Sequence, residues 1–501
     1  MTSKTTVRAA IAACLAALGM SQMAAPVSAQ QVPEGAYIPD GYSIVTVPTP
    51  ETLEFAATGL DVNEAGDIAV ATRFGEVWIL PAEKSVGDIA GTDWRKFAEG
   101  LNEPTGLLYD VDGSILVAHK PELTRLIDSN SDGIADEYLA FASGWEFHDN
   151  YHEYNFGPVR DAEGNFYGTL NLGHNVPDGY AKGGSGMQSR GGWRGWAYKV
   201  TPEGQFTPYA SGLRSPAGIG MSPDGLIYYT DNQGDWVETS PIHVIREGKF
   251  YGQPSSLRDH PKFGIEKTDA ATVTELEAMR QLPVAWVPYR EVGNSPGNPD
   301  WDETGGKFGP FAGQMFIGDQ TQSNIFRAIV EEVDGQLQGA VINFANNFQS
   351  GNIRVVFDHL GRLWVGQTQR GWGASGGEPY GVQMLVWDGT TMPFELLDIS
   401  LVKGGFAITF TEPVAANSRA DAFSAIQWNY QYGPRYGSEK HNEAAVAISG
   451  ASWSADGKTV TLSMPVETGK VVAIDFSGVR DSAGRAPSTT KVFYTVNRLR
   501  E

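Results

Sequence analysis

Side chains able to do chemistry are concentrated in a few short stretches. His148-Asp149-Asn150-Tyr151-His152-Glu153-Tyr154 puts two imidazoles and two carboxylates within seven residues of a chain that has only eight histidines. Imidazole titrates near neutrality, so His148 or His152 suits a general base or a metal ligand. His174, in Leu172-Gly173-His174-Asn175, would be a third member. Asp128-Ser129-Asn130-Ser131-Asp132-Gly133-Ile134-Ala135-Asp136 has the spacing of a calcium loop. Asp128, Asn130, Asp132 and Asp136 would offer side-chain oxygens and Ile134 its carbonyl, although Leu139 stands where such loops usually end in an acid. Arg214, Arg354 and Arg370 follow turns (GLRSP, SGNIRVV, QTQRGWG), where convergent guanidinium groups would suit a carboxylate-bearing or quinone ligand. Ser185–Trp196 (SGMQSRGGWRGW) is either a platform on which sugar faces stack against Trp193 and Trp196 or a glycine-rich connection. There is no nucleophile elbow, Walker loop or dinucleotide fingerprint.

The elements that must position these groups read as strands. A turn glycine followed by an apolar or alternating run recurs at Gly66, Gly113, Gly164, Gly225, Gly313 and Gly361. Spacings of 47, 51, 61, 88 and 48 residues fit four-stranded units with loops inserted in the longer ones. Six turns predict an all-β, six-bladed propeller, in which small sheets bury their faces against one another around a ring. Gly212–Gly252 shows the pattern most fully: an arginine turn, a Ser-Pro-Asp-Gly turn, a strand, and then the polar loop Asp231–Trp236. The one good helical stretch is Asp269–Gln281, with Thr272 and Glu275 as a capping box. From Phe394 on, short alternating strands with Asp-Gly and Gly-Gly turns predict an immunoglobulin-like β-sandwich. The expected division is a signal peptide over 1–29, the propeller over 30–393 and the sandwich over 394–501.

Lys4 and Arg8, the apolar run Ala9–Leu18 and Val27-Ser28-Ala29 read as a cleaved export signal, which implies a periplasmic or secreted protein. The sole cysteine is Cys14, so the mature chain would have no disulfides. No later apolar run is long enough for a membrane span. Net charge is −22, and two units more negative without Lys4 and Arg8, which argues against nucleic acid and polybasic membrane contacts.

His152–Asn171, Gly212–Gly252, Gly306–Arg327 and Gly351–Gly373 together resemble the glucose/sorbosone dehydrogenase-type six-bladed propellers, in particular a poorly characterised bacterial branch labelled as membrane-bound dehydrogenases. The resemblance implies sugar or polyol oxidation with pyrroloquinoline quinone and calcium, a histidine base and an external electron acceptor. By resemblance His152 is that base and Arg214 a quinone or substrate contact. Gly234 and Asp235 would approach a calcium ion, and Arg354 the quinone carboxylates. His152 stands four residues before Phe156 and His148 eight, so both stay in view; the lysine expected near the quinone is replaced by Gly318-Asp319-Gln320. Two other readings share the fold. One is a quinone-free lyase or hydrolase with a divalent transition metal on His148, His152 and His174. The other is a non-catalytic glycan-binding propeller.

Overall fold

The computed structural model describes residues 35–50, 54–85, 93–183, 186–369, 373–419 and 421–501. The expected signal segment, Cys14 and Arg370 lie outside the described residues.

Six four-stranded antiparallel sheets succeed one another along the chain. Sheet I comprises Ala57–Val62, Ile68–Thr72, Val77–Leu80 and Arg95–Ala98; sheet II comprises Gly106–Tyr109, Ile115–Ala118, Leu123–Ile127 and Glu137–Ala142. Sheet III holds Asn155–Arg160, Phe166–Leu170, Trp196–Val200 and Phe206–Ser211; sheet IV holds Pro216–Met221, Ile227–Asp231, Ser240–Val244 and Ala285–Val287. Sheet V has Pro296–Trp301, Met315–Asp319, Asn324–Val333 and Gln336–Ala345. Sheet VI has Asn352–Phe357, Arg362–Thr368 and Tyr380–Trp387, with Tyr42–Val47 from the other end of the chain as its outermost strand, in register from Tyr42 opposite Trp387 to Val47 opposite Val382. The first strand of each sheet contacts the first strand of the next, and that of sheet VI contacts that of sheet I, so the sheets close into a ring. Each of the six turn glycines joins the first and second strands of one sheet, with φ between +81° and +96°, a conformation glycine adopts without a Cβ penalty.

Glycine has a second use on the first strands. A Cβ at Gly106 would lie 1.8 Å from the Gly157 carbonyl oxygen, and one at Gly218 2.1 Å from Asn298 N. At these positions neighbouring first strands approach too closely for a side chain.

From Phe394 the chain forms a second architecture. Leu396–Val402, Gly405–Phe410, Thr459–Ser463 and Gly450–Trp453 make one sheet. Lys491–Val496, Lys470–Asp475, Ser424–Asn429 and His441–Val446 make the other, and Lys491–Val496 also pairs with the last strand of sheet V, Ile342 opposite Val492. Phe406, Ile408, Val472, Val492 and Tyr494 share one buried cluster with Ile329 and Ile342 of sheet V. The capped helix is present at Val273–Met279, with both halves of the Thr272/Glu275 capping box formed. It belongs to the long connection before the fourth strand of sheet IV.

Candidate active site at the ring mouth

Antiparallel pairing places every loop that leads into a first strand, and every loop between second and third strands, at the same end of the ring. The His148–Tyr154 loop, the segments 171–183 and 186–195, Arg214-Ser215 and Asp231–Val237 therefore share one mouth. Asp231 organises its centre. Its fully buried carboxylate accepts from the backbone N–H of Arg214 (2.8 Å), Ser215 (2.7 Å) and Asn232 (2.8 Å), which fixes the turn that delivers Arg214 and Ser215. Burial raises the Asp231 pKa to about 6, against the opposing pull of those amides.

His152 meets Ser215 there. The ring Nδ1 is 2.9 Å from the Leu172 carbonyl oxygen, which can only accept, so Nδ1 carries the hydrogen and Nε2 is left as the acceptor. Nε2 lies 3.2 Å from Ser215 Oγ. The amide nitrogens of Asn232 (3.3 Å) and Asn171 (3.5 Å) donate to the same oxygen, so the serine hydrogen points at His152. The two amide oxygens, Asn171 Oδ1 and Asn232 Oδ1, are buried with no partner among the described residues.

Arg214 completes the second side. Its Nε donates to Asp235 Oδ1 at 2.9 Å, and Asp235 Oδ2 accepts from Gln253 Nε2 at 2.8 Å. Gly234 lies flat beneath the guanidinium, where a Cβ would be 2.0 Å from Cζ. Nη1 and Nη2 make no hydrogen bond to any described residue. The His174 imidazole is nearby, its pKa lowered first by burial and then by the Arg214 charge, with Asp235 opposing. Tyr151 stands 43 % exposed beside both histidines, edge-on to His152 at 5.7 Å and to His174 at 6.0 Å.

The structure thus brings together His152, Arg214, His174 and the Gly234-Asp235 loop. It assigns the other expected residues different work. His148 Nδ1 is 3.1 Å from the fully buried Glu153 carboxylate, which also accepts from the His148 backbone. Below them Arg194, also fully buried, donates to the carbonyls of Glu146 (2.9 Å) and Tyr154 (2.8 Å), so His148 belongs to the support of the His152 loop. Among the described residues no three His, Cys, Asp or Glu side chains come together as a metal-holding group. The Asp128–Asp136 loop joins the third and fourth strands of sheet II, at the end of the ring opposite the mouth. Its carboxylates accept from its own backbone: Asp128 from Asp132 and Gly133, Asp136 from Ser129 and Asn130, and Asp132 from Ile134. Trp196 is buried, with its indole N–H on the Ser256 carbonyl, and Trp193 packs edge-on against it at 5.2 Å, so neither stands as an open platform.

The residues that the sequence resemblance assigns to a quinone and its calcium do not fit those groups in this arrangement. Arg354 points to the ring axis, where its guanidinium donates to the carbonyls of Ala217, Ile353 and Thr105, from sheets IV, VI and II, and lies 4.8 Å from the Phe156 ring of sheet III. A guanidinium whose two terminal nitrogens are held by backbone carbonyls of three sheets is a pin of the ring rather than a carboxylate receptor. Asp319, where a lysine is expected, accepts from the amides of Asn294, Ser295 and Gln322. Both Asp235 oxygens are engaged by Arg214 and Gln253, and the Gly234 carbonyl accepts from Val237 and Gly437.

The chain is similar to solved sugar dehydrogenases at low identity. Three of them are a Thermus thermophilus protein described as an oxidoreductase (glucose dehydrogenase), the quinone-bound aldose sugar dehydrogenase of Streptomyces coelicolor, and the quinone domain of pyranose dehydrogenase from Coprinopsis cinerea. Their identities are 16%, 14% and 12%, with TM-scores of 0.49, 0.46 and 0.48. They cover 69%, 70% and 72% of this chain, which in turn covers 100%, 99% and 99% of theirs. Residues 85–297 match the model of a domain of unknown function, DUF7133. No curated protein matches.

Sequence reasoning missed Ser215, Asn171, Asn232, Gln253 and the Glu153–Arg194 support. Ser215 had a local signal, being the residue after Arg214 in the GLRSP turn. Glu153, Arg194, Asn171 and Asn232 lie in stretches singled out above, but nothing local in the sequence shows which partners they meet, and Gln253 has no local signal.

Proposed function

We propose that the protein is an exported six-bladed β-propeller enzyme, continued from about residue 394 by an immunoglobulin-like sandwich, that oxidises a sugar or polyol at the mouth. The observation that carries the reading is the His152 tautomer: Leu172 holds Nδ1–H, and Nε2 faces the mouth as an acceptor. A substrate hydroxyl takes the place of the Ser215 hydroxyl at Nε2 and gives up its proton there, while the Leu172 carbonyl steadies the imidazolium that forms. The hydride on the same carbon leaves to a two-electron acceptor from outside, for which a redox dye substitutes in the assay, and the carbon becomes a carbonyl. The terminal nitrogens of Arg214 supply donors that a polyhydroxylated ligand needs. Dye-linked oxidation across a panel of aldoses and polyols, with and without added pyrroloquinoline quinone and calcium, tests this. Turnover lost in His152→Ala supports it; no turnover under any of these conditions sinks it.

The Ser215–His152 contact also favours a second reading, a metal-free hydrolase acting on a lactone or glycosidic ester, with Ser215 Oγ as nucleophile and His152 as its base. Lactone hydrolysis abolished by Ser215→Ala, with no dye reduction by any sugar, would select it.

A further inference from the structure

Among the described residues, the second domain reaches the mouth through the loop between Ser424–Asn429 and His441–Val446. Three backbone hydrogen bonds fasten it to the Asp231–Glu238 segment: Trp236 N to Gly433 O (2.9 Å), Gly437 N to Gly234 O (2.9 Å) and Ser438 N to Glu238 O (2.8 Å). Asp235 and Tyr436 form an isolated antiparallel bridge. Behind it the buried Tyr432 hydroxyl donates to the Gly252 carbonyl, and its ring lies 4.3 Å from the Arg280 guanidinium, which is paired with the buried Glu238 at 2.7 Å. Gly437 has φ +66°, and a Cβ there would sit 2.8 Å from the Gln233 side chain, so the loop fits tightly against the ring.

On this fixed loop Tyr436 is 64 % exposed, the most exposed aromatic ring among the described residues, and it lies over the Arg214 guanidinium, 5.3 Å from Cζ. A lone exposed aromatic is ordinary on a protein surface. Here, however, its backbone is held on three sides, and it borders a guanidinium whose terminal nitrogens have no partner among the described residues.

We infer that Tyr436 is a specificity-determining wall of the mouth, supplied by the second domain, on which the C–H face of a neutral sugar ring stacks while Arg214 Nη1 and Nη2 donate to its hydroxyls. Charge decides between a neutral and an acidic sugar. The Arg214 guanidinium is balanced by Asp235 at 2.9 Å, and Asp235 is itself fixed by Gln253. His174 is held towards its neutral form by burial and by the Arg214 charge. The Arg214, Asp235 and His174 group thus offers hydrogen-bonding partners without net positive charge of its own beside the aromatic face, which suits hydroxyl oxygens better than a carboxylate. Resting on the reading of the mouth as a carbohydrate site, this adds the class of sugar and the residue that selects it.

The test is calorimetric titration of the full chain with glucose, xylose, maltose, cellobiose and glucuronate, comparing wild type, Tyr436→Ala and Tyr436→Phe. The expected result is binding of at least one neutral sugar by wild type, in preference to glucuronate. Tyr436→Ala weakens it by at least about tenfold, and Tyr436→Phe largely restores it. Melting temperatures of the two Tyr436 variants equal to wild type exclude a folding effect. Wild-type affinity in Tyr436→Ala, or glucuronate bound more tightly than glucose, overturns the inference and leaves the mouth as a sugar site. No sugar bound by wild type overturns both.

Discussion

Sheets IV and V solve the same problem with the same device and then diverge. In each, an aspartate at the end of the second strand is fully buried and accepts from the amides that lead into the first strand. Asp231 holds Arg214 and Ser215, and Asp319 holds Asn294 and Ser295. Burial raises both carboxyls to about 6. The hydroxyls that the two devices present have different partners. Ser215 Oγ faces His152 at 3.2 Å, whereas Ser295 Oγ accepts from Thr321 at 3.1 Å. The scaffold repeats; the chemistry lies in which neighbour the presented hydroxyl meets.

The widest separation between the two sheets is expected in turnover. His152→Ala should lower it by roughly 10²–10⁴-fold, the usual contribution of a general base, with little change in melting temperature. Thr321→Val, the matching change beside Ser295, should leave turnover within about twofold of wild type; an equal loss in both would erase the difference between the sheets. Asp231→Ala and Asp319→Ala should each destabilise by about 2–5 kcal/mol, because each leaves three backbone amides, two of them buried, without their acceptor, measured by denaturant unfolding. Arg354→Met, which removes a pin touching both halves of the ring, should destabilise by about 2–4 kcal/mol while keeping the substrate preference of the remaining folded protein.

The smallest effect is on pH dependence. Asp231, Asp319 and Asp61 are raised to about 6, and Asp300 and Glu395 to about 7, in each case chiefly by burial. A carboxyl whose folded pKa lies above its unfolded one adds stability at low pH, and that stability is lost as pH rises through the folded value. These carboxyls therefore favour a higher melting temperature near pH 5 than near pH 7.5, while the buried His119 and His243, lowered by desolvation to about 4 and about 3, pull the other way. Asp300→Asn, which stays neutral at both, should flatten the difference. An Asp300→Asn melting temperature that changes between pH 5 and 7.5 just as the wild type's does would contradict the burial argument.

What could be read from the sequence was whatever local backbone geometry enforces. Gly66, Gly113, Gly164, Gly225, Gly313 and Gly361 each occupy a turn with positive φ, so the strand repeat was visible without any tertiary information. The Thr272/Glu275 capping box was legible for the same reason: its partners are three residues apart. His152 and Arg214 were legible as chemistry, because few residue types serve a base or a fixed cation. Their surroundings were not. Ser215 meets His152 across 63 residues, and Arg354 reaches Ala217 across 137 and Thr105 across 249. Contacts of that separation depend on ring closure, which no local pattern encodes. Arg354 misled for that reason: an arginine after a turn reads as a ligand contact until the carbonyls facing it are known.

The pairing of Lys491–Val496 with the last strand of sheet V has a consequence for how the chain holds together. That strand, Gln336–Ala345, is ten residues long, and its outer edge has no other strand paired to it among the described residues. Removing everything after Pro393 would leave a long, largely apolar ladder of unpaired amides and carbonyls at the rim, a template for intermolecular strand addition. Such a shortened chain is expected to self-associate, and the intact protein to melt in one transition rather than two.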